Sequence, residues 1–570
     1  MIGLRAVGLL LIAAGAIACA EPAAQGRPAN AVAPSQQESR QLVIAIHDEP
    51  DTLALHPFTQ PGQATYLIKR VFNAQLSYMD NEANPHPYLA EALPALETDS
   101  WKVFPDGRME TTWKLRDGAT WHDGTPLTAE DFVFTWNVYS TPELGHSRTP
   151  PFDALDGVSA ADPRTIVFAW KRPFPGAATM YEHNREYPPL PRHILETAFQ
   201  QNTPDAFLNL PYWTVEFVGV GPYRLDRWEP GQFIEASGFA KHALGPPKIG
   251  RVRLVFMADS NAVLASLFSG DIQLTADAAA RLSEVQLLKQ DWVPSGAGAV
   301  NLHINQYRGI YIQFRSDILE QKALLDPKVR AALFHAADRQ AINESVYGGE
   351  AILGDFLVPP LSEIGRAADR ALVKYPLDPR RSEQLMAEAG YARGADGIFV
   401  SPTAGRFGVQ VVTQAAADNI SEIAVLADGW QRAGFGVEQR QLTGAASRQP
   451  DVLASFPDML INSTAAGVGL INDFKISNIP TKDNRWNGSN RGGWANTEYT
   501  SLADTFATTL DHGQQIERVG QIAKIFSEQL PVLTLFYRSV VFAHTSALTG
   551  VTNAPPESTV PWNMQDWELR

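Results

Sequence analysis

The chain has 570 residues, 45% of them hydrophobic. That is enough apolar material for more than one core and, at roughly 150 residues per domain, for two to four domains. A formal charge of -15, from 47 Lys and Arg against 62 Asp and Glu with no clustered basic run, argues against nucleic acid or an anionic membrane surface as partner.

The chain opens with one positive residue, Arg5, and an uncharged apolar run over residues 6–20. This is the layout of an export signal, short of the ~20 residues needed to span a bilayer. The only cysteine, Cys19, stands at the cleavage point, so no Cys pair remains for a disulfide. "AIAC" resembles a bacterial lipobox, with Ala16 where Leu is commonest. The resemblance implies a signal over residues 1–19 and lipidation of Cys19, with ordinary cleavage before Glu21 as the alternative. Residues 20–40 are Ala, Pro, Gln and Ser with almost no large apolar side chain, the composition of a flexible tether.

The folded body starts with the strand "LVIAI", followed by "HDEPDTLALHPF" with His47, Asp48, Glu49, Asp51 and His56. These are metal-ligand types, but neighbours on a strand exit point to opposite sides. A solvated loop or capped turn is favoured over a metal centre. In "RMETTWKLRDG" the residues Met109, Thr111, Trp113 and Leu115 alternate with polar ones, which predicts a strand with one buried face. Asp117-Gly118 and Asp123-Gly124 supply turns. Thr128 with Asp131 reads as a capping box opening a helix that buries Phe132, Trp136 and Tyr139. His122 and Asp123 then sit in a turn with no nucleophile near in sequence, a structural corner in preference to a catalytic dyad.

Further on, "RVRLVFM", "NAVLASLFSG" and "DIQL" spell strand, helix and strand, the punctuation of an α/β sheet. Asp326-Pro327 and Asp378-Pro379 mark helix starts, with Gly348 and Gly390 at the matching ends. In the first helix Val329, Leu333, Ala336 and Ala337 form the apolar stripe, leaving Arg330 and Arg339 to pair with acids on neighbouring elements. Ile423, Leu426, Ala427 and Trp430 form another stripe, stopped at Gly434, with a strand from near Val437. No H-E-x-x-H helix, G-x-S-x-G elbow, P-loop or thiol beyond Cys19 is present, so neither catalysis nor a resident metal or cofactor is expected.

The "LR-x-G", "W-H-D-G-T-P" and "T-A-E-D-F-V-F" pieces of residues 115–134 resemble the signature of the family 5 solute-binding proteins of ABC importers, which includes dipeptide-, oligopeptide- and nickel-binding proteins. Four more stretches are similar to family segments in the right order: "PYLAEALPALETD", "FVGVGPYRLDRWEPGQFI", "DPKVRAALFHAADRQAINESVYGGEA" and "YPLDPRRSEQLMAEAGY". The resemblance implies an α/β, two-lobed periplasmic-binding-protein fold of the type II, three-subdomain form. Lobe I would hold residues 41–304, with an inserted subdomain at about 80–210, and 530–570; lobe II would hold 305–529. Hinge strands near residues 311–315 would cross between them. It implies a monomeric, non-catalytic receptor at the outer face of the cell membrane, attached only through its lipid, that hands a peptide-like or other small organic solute to permease subunits. A nickel chelate is the alternative cargo, and a secreted hydrolase the alternative class.

Cleft-lining candidates by this resemblance are His47 and Glu49 after the first strand, Phe314 and Arg315 at the hinge, Asn462, Ser463 and Thr464 late in lobe II, and Trp486 and Trp494 in a Gly- and Asn-rich loop. Peptide-binding members place an aspartate near the Asn462 position to meet an α-ammonium. Here no carboxylate stands between Asp458 and Asp473, which favours a neutral or modified solute over a plain peptide.

Overall fold

The computed structural model describes residues 41–55, 63–144, 151–182, 185–444, 446, 449–554 and 558–570. The signal, the tether, Cys19 and His56 lie outside them. Among the described residues no helix is long and apolar enough to cross a membrane.

The elements that position the site are, in chain order, β1 (Gln41–Ile46), α1 (Gln63–Phe72), β2 (Trp101–Val103), β3 (Met109–Lys114), α2 (Ala129–Tyr139), β4 (Leu155–Asp162) and β5 (Thr165–Trp170). Then come β6 (Tyr223–Glu229), β7 (Phe233–Gly238), β8 (Arg251–Phe256), β9 (Leu274–Thr275) and β10 (Gly298–Ile312). The second half contributes α3 (Pro327–His335), α4 (Arg339–Tyr347), β11 (Gly408–Gln414), α5 (Ala417–Arg432), β12 (Gly436–Leu442), β13 (Met459–Ala465) and β14 (Val532–Thr545).

The main sheet runs β6-β7-β8-β1-β9-β14-β10-β13-β11-β12. Its backbone is the antiparallel pair β10 and β14, matched from Gly298↔Thr545 to Tyr311↔Val532. These two strands belong to both halves of the molecule. On β14, Val540 to Ala543 pack in cores with Leu42, Ile44 and Val263, whereas Val532 to Tyr537 pack in cores with Ile310, Leu333, Trp430 and Phe526. We call the halves the first and second lobes. The register of β10 against β14 shifts between Ile304 and Gln306, where one set of cores gives way to the other. Tyr311 is already deep in the second lobe, so the crossing lies before residues 311–315.

In the second lobe, alternate β10 and β14 residues feed opposite faces: Ile310, Ile312, Leu533 and Leu535 pack under α3–α5, and Tyr307, Tyr311, Val532 and Tyr537 under the helices Thr497–Phe506 and His512–Gln529. The sheet is thus covered on both sides, as an α/β fold requires. A second sheet, β2-β3-β5-β4, carries the alternating Met109, Thr111 and Trp113, all buried, into the same apolar core as β1 and β8.

The Asp131 carboxylate accepts the Thr128 N–H at 2.9 Å, so the reach-back arm of the box at the head of α2 is present. The stretch read as one helix from Asp326 is two, α3 and α4. Asp338 accepts the Ala341 N–H at 2.9 Å and starts the second one, because a side-chain oxygen satisfies a donor there as well as a continued helix would. Arg330 is almost wholly buried and donates to the carbonyls of Leu324 and Gln529, not to an acid. Arg339 does reach an acid, Asp355, at 2.9 Å.

Candidate functional site

Strand directions locate the site. β1, β8 and β9 are parallel, and β9 runs antiparallel to β14 through Leu274↔His544, so their carboxyl ends point toward the middle of β14. In the other lobe β11, β12 and β13 are parallel, and β13 runs antiparallel to β10 through Ala465↔Gln306. Their carboxyl ends therefore point toward the middle of β10, where Gln306 pairs with Arg538. Open α/β sheets bind ligands just beyond strand carboxyl ends. Here two sets of such ends converge on the same point of the crossing strands.

On the first-lobe side, His47 Nδ1 lies 3.0 Å from the Asp48 carboxylate. The Asp48 N–H donates to Asp277, which follows β9 and is buried. Burial first, and the Asp48 charge in addition, pushes the Asp277 carboxyl up to about 7. Glu49 is turned away to the β6–β7 hairpin, where it accepts from the Trp228 indole at 2.6 Å and the Gly231 N–H at 3.0 Å.

The second-lobe side is built round Arg308 on β10. Its guanidinium donates to Glu422 at 2.7 Å, Asn419 at 2.8 Å and Ser463 at 3.1 Å, and both charged groups are buried. Such a pair holds its place because removing either partner leaves an uncompensated charge. Beside it Arg538 lies over the Tyr347 ring at 5.5 Å and 3.8 Å from Asp418, with a quarter of its side chain open to solvent. Arg538 and Asp418 thus offer one exposed charge of each sign at the convergence point.

Of the other residues singled out from sequence, Asn462 and Thr464 share the β13 face of Leu460, while Ser463 points the opposite way to Arg308. Arg315 is a brace: its donors go to the carbonyls of Pro480, Ala454 and Arg491 and to the Gln313 side chain. Phe314 stacks under Arg330 at 5.0 Å, and Trp494 is inside the second-lobe core edge-on to Tyr499 at 4.9 Å. Neither faces the strand ends freely. Trp486 is half-buried with a left-handed backbone, φ 60°, in the loop that Arg315 holds down. Sequence reasoning missed Asp277, Arg308, Asp418, Asn419, Glu422 and Arg538; each is an ordinary polar residue in its own stretch, and only strand pairing brings them together.

No catalytic pair forms at the corner. His122 is buried, its Nε2 3.0 Å from the Gly221 carbonyl and its Nδ1 accepting from the Gly219 N–H, while Asp123 turns out to His193 at 2.7 Å. Burial lowers the His122 pKa to about 4, so the ring is neutral and structural. Among the described residues no group of three or more His, Cys, Asp or Glu side chains could hold a metal ion.

Residues 91–474 match the model of the bacterial extracellular solute-binding proteins, family 5. The chain belongs to that family. A protein of Brucella ovis named as an ABC transporter peptide-binding protein is 28% identical over 343 residues, 59% of this chain and 58% of the relative. The chain thus spans less than two thirds of that relative's length. The glutathione-binding protein GsiB of Shigella flexneri is 24% identical over 90% of this chain and 92% of its own. The oligopeptide-binding protein of Thermus thermophilus, solved with a pentapeptide, superposes with a TM-score of 0.70 at 21% identity, over 93% of this chain and 96% of its own. That likeness shows the fold: α/β, of the periplasmic-binding-protein kind.

Proposed function

We propose that this protein is the receptor of an ABC importer, that it captures a peptide-like or other small organic solute at the facing strand ends, and that it delivers the solute to permease subunits without catalysis. The observation that carries the reading is the convergence of both lobes' strand carboxyl ends on the middle of β10 and β14 in a chain of this family. The relatives named for peptide and glutathione binding support the solute class. In this reading the lobes are residues 41–304 with 538–570, and 305–537, the return falling later than the residue 530 expected from sequence because Val532 to Tyr537 pack in second-lobe cores, and Cys19 carries a lipid that holds a monomeric receptor at the membrane. His47, Asp277, Arg538, Asp418, Asn462, Ser463, Thr464 and Trp486 line the cleft. Arg538 meets a carboxylate of the solute with its planar donors.

The test is the melting temperature of the exported protein against di- to pentapeptides, glutathione, nickel chelates and sugars. A solute at ~100 times its dissociation constant adds roughly 2.7 kcal/mol of stability. An upward shift with peptide-like solutes, weakened about tenfold or more in affinity by Arg538→Ala, is the expected result. A shift with nickel chelates alone, or turnover of a trial substrate, would overturn it.

A further inference from the structure

Away from the strand ends, the last turn of α1 carries Lys69 and Arg70 side by side, and both are buried. Among the described residues their one ion-pair partner is Glu186, with Oε1 2.9 Å from Lys69 Nζ and 2.7 Å from Arg70 Nη2. Glu186 is itself completely buried. Two cations share one oxygen of one carboxylate, which leaves an excess positive charge in a place that solvent does not reach. The C-terminal end of α1 offsets part of it, but a helix end is worth only about half a charge.

Hydrogen-bond bookkeeping leans the same way. Arg70 Nε and Nη1 and Lys69 Nζ are buried without a hydrogen-bond partner, and so are both amide atoms of Gln75, in the chain just leaving α1, and the second carboxylate oxygen of Glu186, so the unmet donors outnumber the unmet acceptors. A guanidinium and an ammonium donate and never accept, so the surplus around Arg70 and Lys69 is one of donors. A buried donor left unmet costs on the order of 1–3 kcal/mol, and more when it is charged. What the cluster lacks is a small group that accepts hydrogen bonds and carries one negative charge.

We propose that Lys69 and Arg70 form an internal binding site for a small monovalent inorganic anion of the chloride class, which pins α1 of the first lobe to the short strand Arg185–Glu186. The charge count selects the class. One excess cation is neutralised by one monovalent ion, whereas sulfate or doubly charged phosphate would reverse the sign. The site is separate from the solute-binding reading and stands or falls without it. The rival arrangement is a neutral Lys69 surrounded by water, which burial favours by lowering its pKa.

The experiment compares melting temperatures of the purified protein in sodium chloride, bromide and nitrate with sodium gluconate at equal ionic strength. Gluconate is too large to enter, so the small anions should raise the melting temperature by a few degrees over it, by mass action on the folded state. Lys69→Met removes the excess charge, and should erase the difference between salts and melt at or above the parent in gluconate. A direct reading, needing no variant, is anomalous scattering from crystals grown in bromide, with a peak beside Arg70 Nε and Nη1. Equal melting in all four salts, a Lys69→Met variant that keeps the parent's anion dependence, or no bromide at that position would each overturn the proposal.

Discussion

Asp277 shows how much one residue can carry unseen in sequence. It and Ala278 both sit in the left-handed region, with φ of 48° and 55°. Each such non-glycine residue costs on the order of 1–3 kcal/mol, held only where the surroundings over-determine it. The carboxyl is buried and titrates near 7, above its unfolded value of about 3.9. The folded protein therefore binds the proton more tightly than the unfolded chain, and stability is lost as pH rises from about 4 through 7. Asp277→Asn keeps the acceptor for the Asp48 N–H and tolerates the left-handed backbone. It should stabilise the protein at pH 8 by roughly 2–4 kcal/mol, with the gain shrinking to nothing near pH 4, as read from denaturant midpoints. An equal effect at both pH values would show that the acid is not perturbed. In "LTADAAA" nothing distinguished this aspartate from a surface one, because its burial comes from β1 and β14 packing on either side.

At the scale of elements, the amphipathic pieces were legible and the connections less so. The strand with Met109 and Trp113, the start of α2 and the buried stripe of α5 all follow from local periodicity and capping, which act over a few residues. The break between α3 and α4 was missed because the apolar stripe continues through it, and the cap at Asp338 competes locally with a longer helix. The two crossing strands depend on Gly309. A Cβ there would come 2.5 Å from Val532 Cγ1 and 3.0 Å from the Tyr307 hydroxyl, beside a register shift. Gly309→Ala should therefore part β10 from β14 and cost roughly 1–3 kcal/mol, measured by chemical unfolding. Ala at Gly408, where nothing lies within 4 Å, is the control expected to be nearly silent.

For the whole molecule, two lobes joined by a pair of continuous strands predict a hinge motion about the Gln306 and Arg538 level. With a bound solute the radius of gyration from X-ray scattering should fall toward about 24 Å, the value for a compact body of some 530 residues, and without solute it should be larger. No change on solute binding would mean that capture does not involve closure. The order of family-like motifs and the periodic strands made the fold class and the family readable from the chain alone, since each is written in short-range patterns. Arg315 and Trp494 show the other side: the sequence put an Arg and a Trp near a hinge and a loop, but the backbone carbonyls of Pro480 and Arg491 took the one and the Tyr499–Phe526 core took the other. Which polar groups meet at the strand ends was settled by pairing between residues more than a hundred positions apart, such as Arg308 with Glu422 and Gln306 with Arg538. Local sequence has no access to such contacts, because the free energy that makes them is released only when both lobes have closed their cores.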